Sequence, residues 1–172
     1  MKNPSGVKPG DLAPDFEAPS QRGGTLTLGD VLEHGPVVLF FYPKAMTPGC
    51  TKESCHFRDL AAEFDAVGAT RLGISADDVD RQTRFADKHG FDFDLLSDCD
   101  RAIARAFGVK RPGPLGNKRM TFVIDTDRRI LDAIGSEMNM EVHADRALEV
   151  LRARTPDRTI RLDPEREDSD RR

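Results

Sequence analysis

Three cysteines, Cys50, Cys55 and Cys99, are the strongest candidates for chemistry in this sequence. Cys50 has the most telling setting. It falls in the run Thr47-Pro48-Gly49-Cys50-Thr51-Lys52-Glu53-Ser54-Cys55, which Phe57, Leu60, Ala61 and Phe64 continue at helical spacing. Thr47 suits the capping position of a helix, where its hydroxyl can accept from a free amide. Pro48 then takes the first helical position, where proline is favoured. Cys50 becomes the third helical residue, in the turn whose amides lack intrahelical partners and where the helix dipole is positive. Both effects favour a thiolate, the nucleophilic form of cysteine. Gly49 lets backbone and substrate approach closely. Cys50 also extends the apolar stripe of Phe57, so its sulfur is expected at the floor of a pocket. A thiolate in a dry, amide-lined pocket can attack an uncharged peroxide. A cation would assist by holding thiolate and peroxide oxygens together, and Arg119, just ahead of an apolar strand, is the candidate.

The elements that must position these groups follow from pattern. Val37-Val38-Leu39-Phe40-Phe41-Tyr42 is a continuous apolar run, which predicts a central strand buried on both faces, ended by Pro43. A helix is expected over 47–66, stopped by Gly68. Strands over 70–75 and 93–97 alternate with helices over 78–89 and 100–107, closed by Gly90 and Gly108. Residues 110–118 carry Pro112, Gly113, Pro114 and Gly116 and read as a loop whose glycines serve turns. Strands over 120–124 and 130–134 form a hairpin through 125–129, and a last helix aligns Ala144, Ala147, Leu148 and Leu151. The order predicts one α/β domain over 1–154, a thioredoxin-like mixed sheet flanked by helices. Residues 155–172 hold few apolar side chains and many charges, so they are expected to be a disordered tail.

Bulk properties narrow the function. A net charge of −4 on 172 residues argues against a nucleic-acid binder, whose footprint is usually a basic face. No apolar run reaches membrane-spanning length, and residues 1–11 hold no secretory leader, so a cytoplasmic address is expected. An odd cysteine count argues for reduced thiols with transient disulfides. The spacing of Cys50, Cys55 and His56 does not fit structural zinc, and no phosphate-cradling fingerprint is present, so no metal or cofactor is expected. His34, His56, His89 and His143 have no partner at a useful sequence spacing and read as surface or satisfied side chains.

Pro43, Thr47 and Cys50 at this spacing resemble the peroxiredoxin active-site pattern. The longer string Phe41-Tyr42-Pro43-Lys44-Ala45-Met46-Thr47-Pro48-Gly49-Cys50-Thr51 is similar to the bacterioferritin comigratory protein, or peroxiredoxin Q, branch. Gly10 to Pro19, and Arg119 with Thr121-Phe122-Val123-Ile124-Asp125, extend the likeness across most of the chain. The resemblance implies that Cys50 is the peroxidatic cysteine, that Thr47 hydrogen-bonds the peroxide, that Pro43 shields the thiolate and that Arg119 polarises the oxygen–oxygen bond. Glu53 matches a commonly acidic position. Like charge opposes ionisation of the thiol, so orienting Arg119 or favouring the helix start are its better roles. The branch further implies a monomer, a thioredoxin-type dithiol reductant, and Cys55 as resolving cysteine.

Cys55 raises a geometric conflict. On a regular helix the two Cα atoms would lie roughly 8–9 Å apart and point about 140° apart. A disulfide usually needs less than about 7 Å. The first turns must therefore unwind before Cys50 and Cys55 can join. Cys99, between Asp98 and Asp100, is expected to be a bystander whose neighbours disfavour its thiolate. A thiol-switch sensor using the same two cysteines is the rival reading. A Cys-x-x-Cys disulfide reductase is excluded, because that motif is absent.

Overall fold

The computed structural model describes residues 6–154. The expected tail over 155–172 lies outside the described residues. Strand β3 (Val37–Phe41) is buried along its whole length, as its unbroken apolar run predicts. Successive side chains of a strand face opposite sides. Val38 and Phe40 accordingly join one core cluster with Phe57, Phe64, Phe85, Ala144 and Leu148. Val37, Leu39 and Phe41 join a second with Leu28, Leu32, Ile103 and Phe107. The sheet thus lies between two helical layers.

β4 (Thr70–Ser75) runs parallel to β3, and β5 (Asp94–Ser97) parallel to β4. On the other side of β3, β6 (Met120–Ile124) and β7 (Ile130–Gly135) pair antiparallel, giving the order β5-β4-β3-β6-β7. Parallel neighbours need crossovers. α2 (Pro48–Asp59) with α3 (Ala61–Ala66) supplies the first and α4 (Val79–His89) the second. α4 starts where Asp78 accepts from the Arg81 amide and ends at Gly90, φ 63°. α5 (Ala102–Phe107) and α6 (Val142–Ala153) complete the layers. Among the described residues no helix is long and apolar enough to cross a membrane.

Two differences from the sequence reading matter. The helix expected over 47–66 is broken at Leu60, φ −94° and ψ 20°. The cause lies on β4. Arg71 donates to the Phe57 carbonyl at 2.6 Å, the acceptor that a continuous helix would offer to the amide of Ala61. The Arg71 guanidinium is buried, pairs with Asp92 at 2.6 Å, and lies over the rings of Phe64 and Phe93. The second difference is at the N-terminal side, where β1 (Glu17–Pro19), β2 (Thr25–Thr27) and α1 (Leu28–Leu32) form a small appended unit that the sequence pattern did not announce.

Candidate active site

The chain leaves the C-terminal end of β3 through Tyr42 and Pro43 and turns sharply into α2. Met46 takes φ 66°, a left-handed conformation unusual for a side chain with a Cβ. The residue before it, Ala45, is braced from α4's side of the sheet. Asp77 accepts from the Ala45 amide at 2.7 Å, and Arg81 donates to the Ala45 carbonyl at 2.9 Å. Thr47 holds the capping position by its backbone, accepting from the Thr51 amide at 2.9 Å, and Pro48 follows as the first helical residue. The expected side-chain cap is not made. The Thr47 hydroxyl donates instead to the Lys44 carbonyl at 2.7 Å, because the turn at Met46 brings that carbonyl beneath it. Among the described residues no side chain caps the start of α2.

Cys50 lies in that first turn, fully buried. Met120 of β6 pairs with Phe41 of β3, so Arg119, one residue earlier, stands beside the point where β3 hands the chain to α2. Its Nη2 is 3.4 Å from Cys50 Sγ and its Nη1 is 3.4 Å from Glu53 Oε2. Burial works against the Arg119 charge, but the charges of Glu53 and Cys50 outweigh it and raise the pKa above its ordinary value. The Arg119 amide donates to Glu137 at 3.0 Å, and Glu137 also pairs with Arg111. Gly49 leaves the guanidinium its room. A Cβ there would sit 3.2 Å from Arg119 Nη2 and 3.4 Å from the Met140 methyl.

Glu53 is also fully buried. It stands in the second turn of α2, away from the helix start, which leaves the contact with Arg119 as its evident role. Burial pushes its carboxyl up to about 8, against the pull of Arg119 and with a further push from Glu137. Its Oε1 has no hydrogen-bond partner among the described residues. Behind it stands His143 of α6. Its Nε2 is 3.6 Å from Glu53 Oε2, and its Nδ1 is 2.8 Å from Thr121 Oγ1 on β6. The sequence reading set His143 aside because no partner lies near it in the chain. The ring is satisfied as expected, by Thr121 and by the Ser136 carbonyl seven residues earlier, while its neighbour Glu53 arrives from α2 and no local pattern announces it.

Pro43 packs against the loop before β6. A Cβ on Gly116 would meet Pro43 at 2.7 Å, so this glycine permits a close approach beyond the turn role expected of it. Cys55 shares α2 with Cys50 but is half-buried at the edge of the core. Burial raises its thiol pKa, opposed by Arg58 and aided by Asp59. Cys99 is exposed, 3.9 Å from the Asp77 carbonyl. Burial raises its pKa too, and Asp78, Asp98, Asp100 and Asp77 all push the same way. Among the described residues no cluster of three or more histidine, cysteine or carboxylate side chains gathers in a way that could hold a metal ion.

Comparison with known proteins matches residues 9–133 to the AhpC/TSA family. A Mycobacterium tuberculosis protein named as a peroxiredoxin is 58% identical over 86% of this chain and 97% of its own. Peroxiredoxin Bcp of Escherichia coli is 41% identical, covering 72% of this chain and 83% of that one. Among solved structures, peroxidoxin BcpB from Mycobacterium tuberculosis superposes with a TM-score of 0.82 at 58% identity, covering 86% of this chain and 97% of that one. Peroxiredoxin Q of Xanthomonas campestris gives 0.74 at 36% identity, over 80% and 90%. These neighbours share the thioredoxin-like arrangement of a mixed sheet between helices. A buried thiol at a helix start, faced by a guanidinium, is thus set in a family of thiol-dependent peroxidases: the chain belongs to the AhpC/TSA family, the peroxiredoxins, in the branch of Bcp and peroxiredoxin Q.

Proposed function

We propose that this chain reduces hydrogen peroxide and organic hydroperoxides, with Cys50 as the attacking thiolate. The observation that carries the reading is the 3.4 Å approach of Arg119 Nη2 to the buried Cys50 sulfur. That guanidinium faces both the nucleophile and the space a peroxide must occupy, where negative charge develops as the oxygen–oxygen bond breaks. The sulfur forms a bond to one peroxide oxygen, the other leaves as an alkoxide or hydroxide and takes a proton from water, and Cys50 becomes a sulfenic acid. Thr47 has committed its hydroxyl hydrogen to Lys44, so it meets the peroxide as an acceptor for the peroxide O–H. Pro43, seated on Gly116, screens the sulfur from water. Glu53 holds Arg119 in place from behind.

Cys55 completes the cycle in this reading. Five residues along one helix is too far for a disulfide, so the start of α2 unwinds, the Cys55 thiol displaces water from the sulfenic acid, and a Cys50–Cys55 disulfide forms. Pro48 and Gly49, at an end that no side chain among the described residues caps, make that end the easiest to open. A thioredoxin-type dithiol then returns both thiols and becomes oxidised itself. Three cysteines, an odd number, suit a reducing cytoplasmic setting for this cycle.

The test is peroxide consumption with thioredoxin, its reductase and NADPH. Sustained turnover is expected, with a Cys50–Cys55 link by mass spectrometry in oxidised protein and a fall in helical ellipticity that reduction reverses. Cys55→Ser should stop turnover with the dithiol protein while leaving the first oxidation of Cys50 intact. A single stoichiometric reaction that then stalls would replace the enzyme by a thiol switch. Loss of turnover in Cys99→Ser but not Cys55→Ser would move the resolving role to Cys99.

A further inference from the structure

Behind the pair of Glu53 and Arg119 lies a buried histidine that the reaction above does not use. His143 is fully buried in the first turn of α6. Its Nε2 lies 2.9 Å from the Ser136 carbonyl and its Nδ1 2.8 Å from the Thr121 hydroxyl. A carbonyl only accepts, so Nε2 carries the hydrogen and Nδ1 accepts from Thr121. Burial holds the ring's pKa below its ordinary value; the Ser136 bond opposes this and the Arg119 charge adds to it. The ring is therefore neutral, with both nitrogens engaged, and serves as neither base nor nucleophile.

What it offers is a fixed edge. Nε2 stands 3.6 Å from Glu53 Oε2, and that same oxygen is 3.4 Å from Arg119 Nη1. The histidine distance is too long for a hydrogen bond. The Nε2–H is given to Ser136, so the ring edge meets the carboxyl by packing and leaves it free to face Arg119. The charged and titratable groups facing Glu53 come from several elements: Cys50 from α2, Arg119 from the start of β6, Glu137 from the connection after β7, and His143 from α6. With Oε1 of Glu53 lacking a partner among the described residues, a vacated ring site would invite the carboxyl to rotate toward it and away from Arg119.

We propose that His143 is a positioning residue for the peroxidase reaction: its locked ring holds the Glu53 carboxyl against Arg119, and so holds Arg119 against Cys50. The proposal rests on the peroxidase reading above. Two variants test it, His143→Phe, which fills the volume without polar atoms, and His143→Gln, which restores an N–H donor. In His143→Phe the second-order rate constant for hydrogen peroxide is expected to fall about tenfold, the scale of a partly misplaced catalytic group. The KM for the dithiol reductant stays unchanged, and His143→Gln recovers most of the lost rate. A readout free of peroxide is the Arg119 Nε–H, which is buried with no partner among the described residues. By nitrogen-15 NMR it should exchange slowly with solvent in the native protein and faster in His143→Phe. A folded His143→Phe protein with native peroxide rate and native Arg119 exchange overturns the proposal. If His143→Phe does not fold, Thr121→Val decides: it removes the hydroxyl that fixes the ring, and native rate and exchange in that variant overturn the proposal equally. Native protein that consumes no peroxide would sink the proposed function, while the Arg119 exchange would still settle the part played by His143.

Discussion

Cys50 and Cys99 occupy corresponding places in the fold and opposite environments. Each follows the C-terminal end of a parallel strand, β3 or β5, and each precedes or opens a helix. At α5 the protein fills the helix start with its own carboxylate. Asp98 accepts from the amides of Ile103 at 3.1 Å and Ala104 at 2.8 Å. At α2 no side chain among the described residues does so, and the Thr47 hydroxyl is turned to Lys44. Cys50 is buried with a guanidinium beside it, whereas Cys99 is exposed among four aspartates. The difference teaches that two helix starts in like positions can offer a thiol opposite surroundings: a guanidinium and amides without a side-chain acceptor at Cys50, carboxylates at Cys99.

The comparison can be broken most sharply at the sulfurs themselves. Cys50→Ser is expected to reduce peroxide consumption to the buffer rate, and Cys99→Ser to leave it unaltered, in an assay with excess reductant. Equal losses in both would erase the distinction. Next in size is the cation. Arg119→Ala should slow Cys50 oxidation by about a hundredfold, in line with the loss of a preorganised donor to developing charge. Rapid quenching with an alkylating reagent, followed by mass spectrometry, measures it. Arg119→Ala at the native rate would mean that the exposed helix start alone suffices.

A smaller effect comes from Glu53 and is read in stability. Burial pushes its folded carboxyl up to about 8, well above the ordinary 4.5. Between those two values the folded state binds the proton and the unfolded state does not, so stability is full below about 4.5 and declines as the pH rises toward 8. Glu53→Gln should flatten that decline. The difference in denaturation midpoint between native and Glu53→Gln protein across this range isolates it, and a constant difference would remove the buried proton from the account. Smallest is Asp98→Ala. It should lower stability by about 1 kcal/mol through loss of the cap, and make Cys99 a few-fold faster toward iodoacetamide as the helix start opens and one carboxylate leaves.

The core of the site was legible because it is local. Thr47, Pro48, Cys50 and Phe57 lie within a few helical turns, and their spacing alone gives a helix start with a buried thiol. Arg119 was reachable because it heads an apolar strand, and antiparallel pairing of β6 with β3 carries it to the helix start. The rest depends on contacts that no spacing encodes. His143 meets Thr121 and Glu53 only through the packing of α6 on the sheet. The break at Leu60 is imposed by Arg71 from β4, while the local pattern there is continuous helix. Thr47 takes the capping position that its type predicts, yet the left-handed turn at Met46 redirects its hydroxyl. β1 and β2 are three residues each, too short for alternation to register.

The grip of Arg71 on the Phe57 carbonyl gives α2 a free end and a moored end. The moored end is doubly held, since the Phe57 ring also stacks on Phe40 of the central strand with centroids 4.2 Å apart. If α2 opens from Pro48 as proposed, the opening would pass Cys50 and Cys55 and meet this hold at Phe57. An opening of that kind would leave untouched the strand contacts against which the helix re-forms.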